Sequence, residues 1–452
     1  MTQRSGLGYR PHHDSGPGFP LLHTATGAVR AVRGHPGRSA GPAAIGRTFV
    51  DRDGGVTVTL VPAPPPEPAI DDGGRGPVRP ELWEQVLAAV AGSTATATQE
   101  AYRRDWARFA AWAAEEGYGT LPAAPAVVAG YLTAAAAEVD VDGRPRYKTA
   151  TLIRWVASIN QIHRAAGHPG PGRSELVRRT LGGIKRQHGT RPSRRDPLLL
   201  TDLRALLGPL SQSFGAWPAG IAARRDAALL LLGFTLAARR SELTTLQLGD
   251  LTLHGDDGLH VLLRRSKTDQ EGRGQVKAAP RGRNLATCTP CAVTRWVQLV
   301  HAADKAADTA TPTPDGRDGQ RLAVMPVLRR QTRPVPGDGH VCRDPLPTSA
   351  DPTAPVFRVV HRGGRIHQQA IQGGAVNKLI ARRAHAAGWP AEKIALLGGH
   401  SLRSGFITEG FRAGGDPAAI MRQTGHRNPA QLETYRREHS PLVGNIVQQL
   451  DL

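Results

Sequence analysis

The feature that most constrains the fold is the C-terminal stretch 398–438, in which glycines and prolines separate short helical segments. Asp416 and Asn428 are each followed directly by a proline, and a capping side chain before a proline favours the start of a helix. Gly425 lies where the helix after Asp416 should stop. The pattern therefore predicts two helices that meet at a loop, with His426 in that loop.

The same stretch contains four side chains that could act together on a phosphate: His400, Arg403, His426 and Tyr435. A phenol has a pKa near ~10, so Tyr435 needs help to act as a nucleophile at neutral pH. Arginine and histidine donors can neutralise a phosphate and hold the charge that develops on its oxygens. The set indicates phosphoryl transfer through a phosphotyrosine. Spacing alone leaves open the alternative of an ordinary helix tyrosine beside solvated arginines.

H-x-x-R at His400 and Arg403, followed by Gly-His nine residues before a tyrosine, resembles the C-terminal half of the tyrosine recombinase (phage integrase) family. The upstream run A-R-R-S-E-L resembles the first motif of that family. The resemblance implies that Arg239 is a catalytic arginine and that Glu242 supports it. It implies that Tyr435 is the nucleophile.

A predicted hairpin carries the next matching residue. Residues 259–265 alternate as a strand does, and residues 275–278 can pair back against them. The family carries a lysine on such a hairpin in an R-x-K-T context, which Lys267 matches. The resemblance implies that Lys267 protonates the departing 5′ oxygen as a general acid. A solvated turn lysine is the alternative interpretation.

Composition favours a polyanionic partner. The 452 residues include 58 Lys and Arg against 38 Asp and Glu, a net charge of +20, and nucleic acid is the expected partner of such a chain. The longest apolar run, 227–238, is too short for a membrane span, and the N-terminus lacks the apolar segment of a signal peptide. Three cysteines favour a reducing compartment. We predict a cytoplasmic protein without membrane contact.

The N-terminal part divides into an arm and a helical domain. Residues 1–79 form a basic, Gly- and Pro-rich arm that is predicted to be disordered, with a short strand at 55–60. Residues 80–186 resemble the helical core-binding domain of the family, which binds DNA. Residues 187–197 are polar and basic, as in an interdomain linker. Helices are predicted at 81–91, from Thr96 onward, and at 125–139, 148–166 and 174–185.

Residues 198–452 are the predicted catalytic domain. A buried helix is predicted at 224–237 and another helix at 373–388. Residues 303–355 are rich in Asp, Thr, Pro and Gly, which indicates an insertion that forms a surface loop. The expected fold is mainly α-helical with a small β-sheet, and the two domains are expected to form a DNA clamp.

Cys288-x-x-Cys291 suggests a metal site, but a zinc site needs about four ligands. No second C-x-x-C or histidine pair follows at ligand spacing, and Cys342 lies in a Pro-rich stretch. We therefore assign no metal and no cofactor from the sequence.

The resemblance implies site-specific recombination of double-stranded DNA by a homotetramer on two sites, with accessory DNA-bending or directionality proteins as further partners. Arg239, Arg403, His400 and His426 would bind the phosphate while Tyr435 forms a 3′-phosphotyrosyl link. Two alternatives remain: relaxation of DNA as by a type IB topoisomerase, and a non-catalytic DNA-binding regulator built on the same scaffold.

Overall fold

The computed structural model describes residues 47–50, 56–59, 79–92, 96–190, 195–265, 269, 272–309, 317–439 and 450. The chain divides into two compact units, Met1–His188 and Gly189–Leu452, here called the N-terminal and C-terminal units. The division falls within the segment 187–197, which the sequence indicates as a linker. The expected mainly helical fold with small sheets is confirmed.

The first described elements of the N-terminal unit are a pair of antiparallel strands, β1 (Arg47–Val50) and β2 (Val56–Thr59). Strand β2 confirms the strand predicted at 55–60. Strand β1 lies in the arm that was predicted to be disordered, so that prediction is wrong for Arg47–Val50. Most of the rest of the arm lies outside the described residues.

Five helices follow in the described part of this unit, and the predicted helices correspond to them. They are α1 (Pro80–Gly92), α2 (Thr96–Glu115), α3 (Pro125–Ala137), α4 (Thr149–Ala165) and α5 (Glu175–His188). Their core is aromatic: Phe109 and Tyr131 lie edge to face at 5.3 Å, and Trp155 stacks on Tyr131. Arg103 and Arg104 on the opposite side of α2 are exposed, so the apolar period of α2 identifies its buried side.

The C-terminal unit is built around the almost entirely buried helix α7. The helices of its first half are α6 (Leu200–Gln212), α7 (Ala219–Thr235), α8 (Arg240–Thr244) and α9 (Thr289–Thr309). Helices α6 and α9 both pack on α7. Leu229, Leu230 and Leu232 of α7 have no exposed surface. At about 25 cal/mol per Å² of apolar area, such a helix anchors the unit.

Three antiparallel strands lie between α8 and α9: β3 (Leu251–His254), β4 (Gly258–Leu263) and β5 (Gln275–Ala279). The register pairs Leu259 with Ala279 and Leu263 with Gln275. This is the predicted hairpin, with the strand ends shifted by one or two residues.

The predicted surface loop at 303–355 is wrong as a description of the whole segment. Helix α9 extends into it to Thr309, and α10 (Arg317–Arg330) packs back on α9. Val324 and Leu328 of α10 are buried in the main core of the unit. Met325 and Val327 also pack against this core, so apolar residues attach the helix although the segment is polar in composition.

The second half of the unit contains β6 (Arg358–Val360), β7 (Ile366–Ala370), α11 (Gly373–Ala386), α12 (Ala391–Ala395), α13 (Gly399–Arg412), α14 (Pro417–Thr424) and α15 (Pro429–His439). Asp416 caps α14 by accepting from the N–H of Ala419 at 2.9 Å, and Gly425 ends α14 with φ 68°. His426 therefore lies in the loop between α14 and α15, as predicted.

Among the described helices, none combines the length and apolar character that crossing a membrane requires.

Candidate phosphoryl-transfer site

Helix α13 carries His400 and Arg403, and a close backbone contact fixes its position. A Cβ at Gly405 would lie 1.8 Å from the carbonyl oxygen of Leu198. The N–H of Leu198 donates to the carbonyl of Ser401 at 2.9 Å. Glycine at this position thus allows α13 to lie directly against the backbone at the start of the unit.

Tyr435 lies on α15 and is 93% buried. Its hydroxyl lies 2.5 Å from Nε2 of His400, so the two groups share a short hydrogen bond. The ring packs in a small apolar cluster with Ile407, Phe411 and Leu432, and α15 packs on α13. The cluster holds the phenol, and the imidazole is the group that can accept its proton.

Arg239 is held directly before α8. Its guanidinium donates to Oε1 of Glu242 at 2.6 Å, and its backbone N–H donates to Oε2 of the same carboxylate at 2.8 Å. Glu242 is buried, whereas about a fifth of the Arg239 side chain is exposed. The carboxylate fixes the arginine in place and leaves part of the guanidinium accessible to a ligand.

The carbonyl groups at the C-terminal end of α7 are satisfied by side chains of the site. Gln423 donates to the carbonyl of Thr235 at 2.8 Å, and Lys277 donates to that of Leu236 at 2.9 Å. Arg403 donates to the carbonyl of Ala237 at 2.7 Å. A helix leaves its last carbonyls without partners and favours cations there, so these three donors fix the turn that leads to Arg239.

Ala237 itself has φ 47°, a left-handed backbone conformation that residues other than glycine rarely adopt. The conformation turns the chain out of α7, and the bond from Arg403 to the Ala237 carbonyl stabilises it. Strain of this kind persists where the surroundings hold it, and here it lies two residues before Arg239.

His426 completes the cationic group from the loop after α14. Nη2 of Arg403 lies 3.2 Å from its Nε2, and its Nδ1 lies 2.8 Å from Oγ1 of Thr424. Because arginine can only donate, Nε2 is the acceptor and Nδ1 carries the proton. Burial, and then the charges of Arg403 and Arg239, lower the pKa of His426 to about 3, so the ring is neutral at pH 7.

Lys277 is a site residue that the sequence interpretation missed. It lies on β5 and is 97% buried. Burial lowers its pKa to about 8, with Glu242 opposing this and Arg403 and Arg239 adding to it. The alternation of the strand could have identified it. Lys277 and Ala279 are two residues apart and lie on the same buried face of β5, where an apolar residue is normally found. A lysine at such a position needs a polar partner, which the carbonyl of Leu236 supplies.

Lys267 lies outside the described residues. Described residues that follow it in the chain are held by hydrogen bonds. Asp269 accepts from the N–H of Gly274 at 2.8 Å, and Gln275 donates to the carbonyl of Arg422 on α14 at 3.1 Å. A cavity of about 540 Å³ lies between the hairpin and α14 and includes His426 in its lining.

A further cluster in this unit could hold a metal. The structure brings Cys288, Cys291 and Cys342 together with His340, although Cys342 is far from the C-x-x-C pair in the sequence. No metal is assigned from the sequence because further ligands are lacking at short spacing, and the fold supplies them from a distant segment.

The site thus joins a buried tyrosine, a histidine on its hydroxyl, and two arginines close enough to depress the pKa of a second imidazole, that of His426. The arginine pair is suited to a phosphate and the tyrosine to attack on it. This arrangement is suited to the transfer of a phosphoryl group through a phosphotyrosine.

Comparison with known proteins points to the same class. No family model matches the chain. An integrase/recombinase XerD homolog of Selenomonas ruminantium is 26% identical over 361 residues, which cover 79% of this chain and 86% of that protein. The ordered set from Arg239 to Tyr435 and the similarity to this relative both point to the tyrosine recombinase family.

Two solved structures are also similar to this chain. The XerH site-specific recombinase bound to its palindromic difH substrate is 14% identical, with 73% of each chain covered and a TM-score of 0.40. A lambda integrase dimer bound to a COC′ core site is 13% identical, with 80% of this chain and 76% of that chain covered and a TM-score of 0.42.

Proposed function

We propose that this protein is a site-specific DNA recombinase that cuts and rejoins strands through a 3′-phosphotyrosyl intermediate. The observation that carries the proposal is the 2.5 Å contact between the Tyr435 hydroxyl and Nε2 of His400. A tyrosine that was only a core residue would have no need of a histidine acceptor and two neighbouring arginines.

Cleavage follows from this contact in one balanced step. Nε2 of His400 accepts the phenolic proton as the Tyr435 oxygen bonds to phosphorus, and the bond from phosphorus to the 5′ oxygen breaks. Lys267 gives a proton to that oxygen, which leaves as a 5′ hydroxyl. The phosphodiester is conserved as a phosphotyrosyl ester, so no nucleotide hydrolysis is needed. Attack by a 5′ hydroxyl of a second duplex reverses each bond change and completes exchange.

The negative charge that develops on the phosphate is held by Arg239 and Arg403, with His426 beside them. Arg239 is already held by Glu242, so little reorganisation accompanies binding. A bound phosphate offsets the cations that keep His426 neutral, which raises the pKa of this ring and allows Nε2 to donate.

Lys277 acts as a positioning residue in this scheme. Its Nζ is bonded to the Leu236 carbonyl and nearly enclosed, so it fixes the turn before Arg239. The general acid is assigned to Lys267, on the hairpin, by its match to the family motif.

The partner is double-stranded DNA, and the assembly is a homotetramer on two sites, since exchange requires four cleaved strands. Support for DNA comes from the net charge of +20 and from the exposed arginines of α2. Accessory DNA-bending or directionality proteins and a cytoplasmic location belong to the same proposal.

The decisive experiment uses nicked suicide duplexes drawn from DNA flanking the gene, which trap the cleaved state because the nicked fragment diffuses away. We expect the wild type to form an adduct that resists SDS, and Tyr435→Phe to bind the same DNA without forming one. Binding by the wild type without any adduct would refute the proposal in favour of a DNA-binding regulator. Adducts on every duplex alike would favour topoisomerase-like relaxation.

A further inference from the structure

Three cysteines and one histidine meet at a single point of the C-terminal unit, away from the residues of the phosphoryl-transfer site. The sulfurs of Cys288, Cys291 and Cys342 and a ring nitrogen of His340 all lie within 4.8 Å of one another. These are all the cysteines of the chain. We propose that this cluster is a structural zinc site, in addition to the recombinase function.

The distances among the ligand atoms of Cys291, Cys342 and His340 agree with tetrahedral coordination. Zinc bonds of about 2.3 Å to sulfur and about 2.0 Å to nitrogen place two sulfurs about 3.8 Å apart, and a sulfur and a nitrogen about 3.5 Å apart. The Sγ atoms of Cys291 and Cys342 are 3.5 Å apart. Nδ1 of His340 lies 3.4 Å from Sγ of Cys291 and 3.8 Å from Sγ of Cys342.

The surroundings are those of a closed metal site. The three cysteines are at most 1% exposed, and Leu253 and Val341 pack against them. The N–H of Gly282 points to Sγ of Cys288 at 3.4 Å, a contact that stabilises a thiolate. Four protein ligands leave no open position, which is the pattern of a structural site rather than a catalytic one.

A disulfide and a purely apolar role both fit the cluster less well than a metal does. A disulfide requires sulfurs about 2.05 Å apart, whereas the Sγ atoms of Cys291 and Cys342 are 3.5 Å apart. A disulfide between any two of the three cysteines would also leave the third unpaired. Buried thiols that served only as small apolar side chains would not need an imidazole nitrogen directed at them. Three thiolates and an imidazole favour zinc over the hard cations magnesium and calcium.

The site would join two segments that are distant in sequence. Cys288 and Cys291 flank the start of α9, whereas His340 and Cys342 belong to the segment that follows α10. Helix α9 packs on α7, which leads into the turn before Arg239. A metal here would fix the insertion to the helix that supports the catalytic turn, and part of the stability of the unit would depend on it.

The first test measures metal in the wild-type full-length protein, purified without a metal-binding tag and without chelator. We expect one zinc per chain by inductively coupled plasma mass spectrometry. Exchange with cobalt should produce the intense visible bands of tetrahedral thiolate coordination. Protein with less than about a tenth of an equivalent of zinc, which takes up neither zinc nor cobalt under reducing conditions, would overturn the proposal, as would stoichiometric binding of a different metal.

Variants then assign the ligands. We expect His340→Ala and Cys342→Ser to bind zinc at least about 100-fold more weakly in competition with a chromophoric chelator. His385→Ala, on the exposed side of α11, is the matched control and should retain one zinc. Unchanged zinc affinity in both ligand variants would contradict the proposed ligands. Because metal content is measured without DNA, failure here is distinguishable from failure of the recombinase proposal.

Discussion

Arg239 is positioned by side chains that are scattered along the chain. The turn before it is fixed by Lys277 from a strand, by Arg403 from α13 and by Gln423 from α14. Each of them bonds a different carbonyl at the end of α7. The reactivity of one arginine therefore depends on three other elements, and the loss of any of these bonds should reduce the rate of cleavage without removing the nucleophile.

Lys267 and Lys277 are expected to have different roles in cleavage, the first as the general acid and the second as a positioning residue. Lys267→Ala should lower the single-turnover cleavage rate by about 10²–10⁴-fold, since a general acid is lost. A substrate with sulfur at the 5′ bridging position should restore most of that rate, because a thiolate leaves without protonation. Lys277→Met should lower the rate on both substrates alike, because the defect lies in the position of Arg239. Rescue of Lys277→Met alone would exchange the two assignments.

Neutral His426 should make stability depend on pH. Its pKa is about 3 in the folded state and about 6.5 in the unfolded state, so between these values the unfolded chain binds the extra proton. Stability therefore falls as pH decreases through this window. From pH 7 to 5 the loss should be about 2 kcal/mol, or about 4–8 °C in Tm.

Calorimetry of the full chain at both pH values measures this loss. Glutamine at position 426 cannot be protonated in this pH range, so the Tm of His426→Gln should decrease less between pH 7 and 5 than that of the wild type. The Tm of the exposed control His385→Gln should decrease as much as that of the wild type. An equal loss in His426→Gln would show that the ring is not the titrating group.

At the scale of elements, the close approach of α13 to the start of the C-terminal unit is the most sensitive packing contact. Gly405→Ala places a methyl group 1.8 Å from the Leu198 carbonyl oxygen, so the backbone must separate, at a cost of about 3 kcal/mol. Gly374→Ala, on α11 with open space around it, is the matched control and should leave Tm unchanged or slightly raised. Equal Tm values for the two variants would contradict this account of the packing.

Elements with local signals could be predicted from the sequence, and those that depend on distant contacts could not. The cap at Asp416 and the stop at Gly425 are set by neighbouring residues, and both are as predicted. Helix α10 was missed because its apolar residues, among them the buried Val324 and Leu328, pack on a core formed by distant segments.

The same distinction holds for the candidate sites. The signature from Arg239 to Tyr435 is recognisable because each motif is short and local. Lys277 and the partners of Cys288 become visible only when the fold brings separate segments together. The roles of the signature residues remain predictions until cleavage is measured, whereas the mainly helical fold is confirmed.

At the scale of the whole molecule, the charge of +20 implies that DNA binding is governed by the release of counterions. Arg103 and Arg104 are exposed on α2, opposite its apolar face. If they contact phosphates, replacing both by serine should reduce the slope of log K against log salt by about 2, close to 0.9 for each contact.

Fluorescence anisotropy with the specific duplex, over a range of salt concentrations, measures that slope. Arg178→Ser is the matched control, because this exposed arginine on α5 is already paired with Glu175 at 2.6 Å. It should leave the slope within error of the wild type, and at saturating DNA all the variants should form the Tyr435 adduct at the wild-type rate. A slope unchanged by the double substitution would place the phosphate contacts of the N-terminal unit elsewhere than on α2. A reduced slope with an unchanged adduct rate would separate DNA capture by this unit from the chemistry of the other.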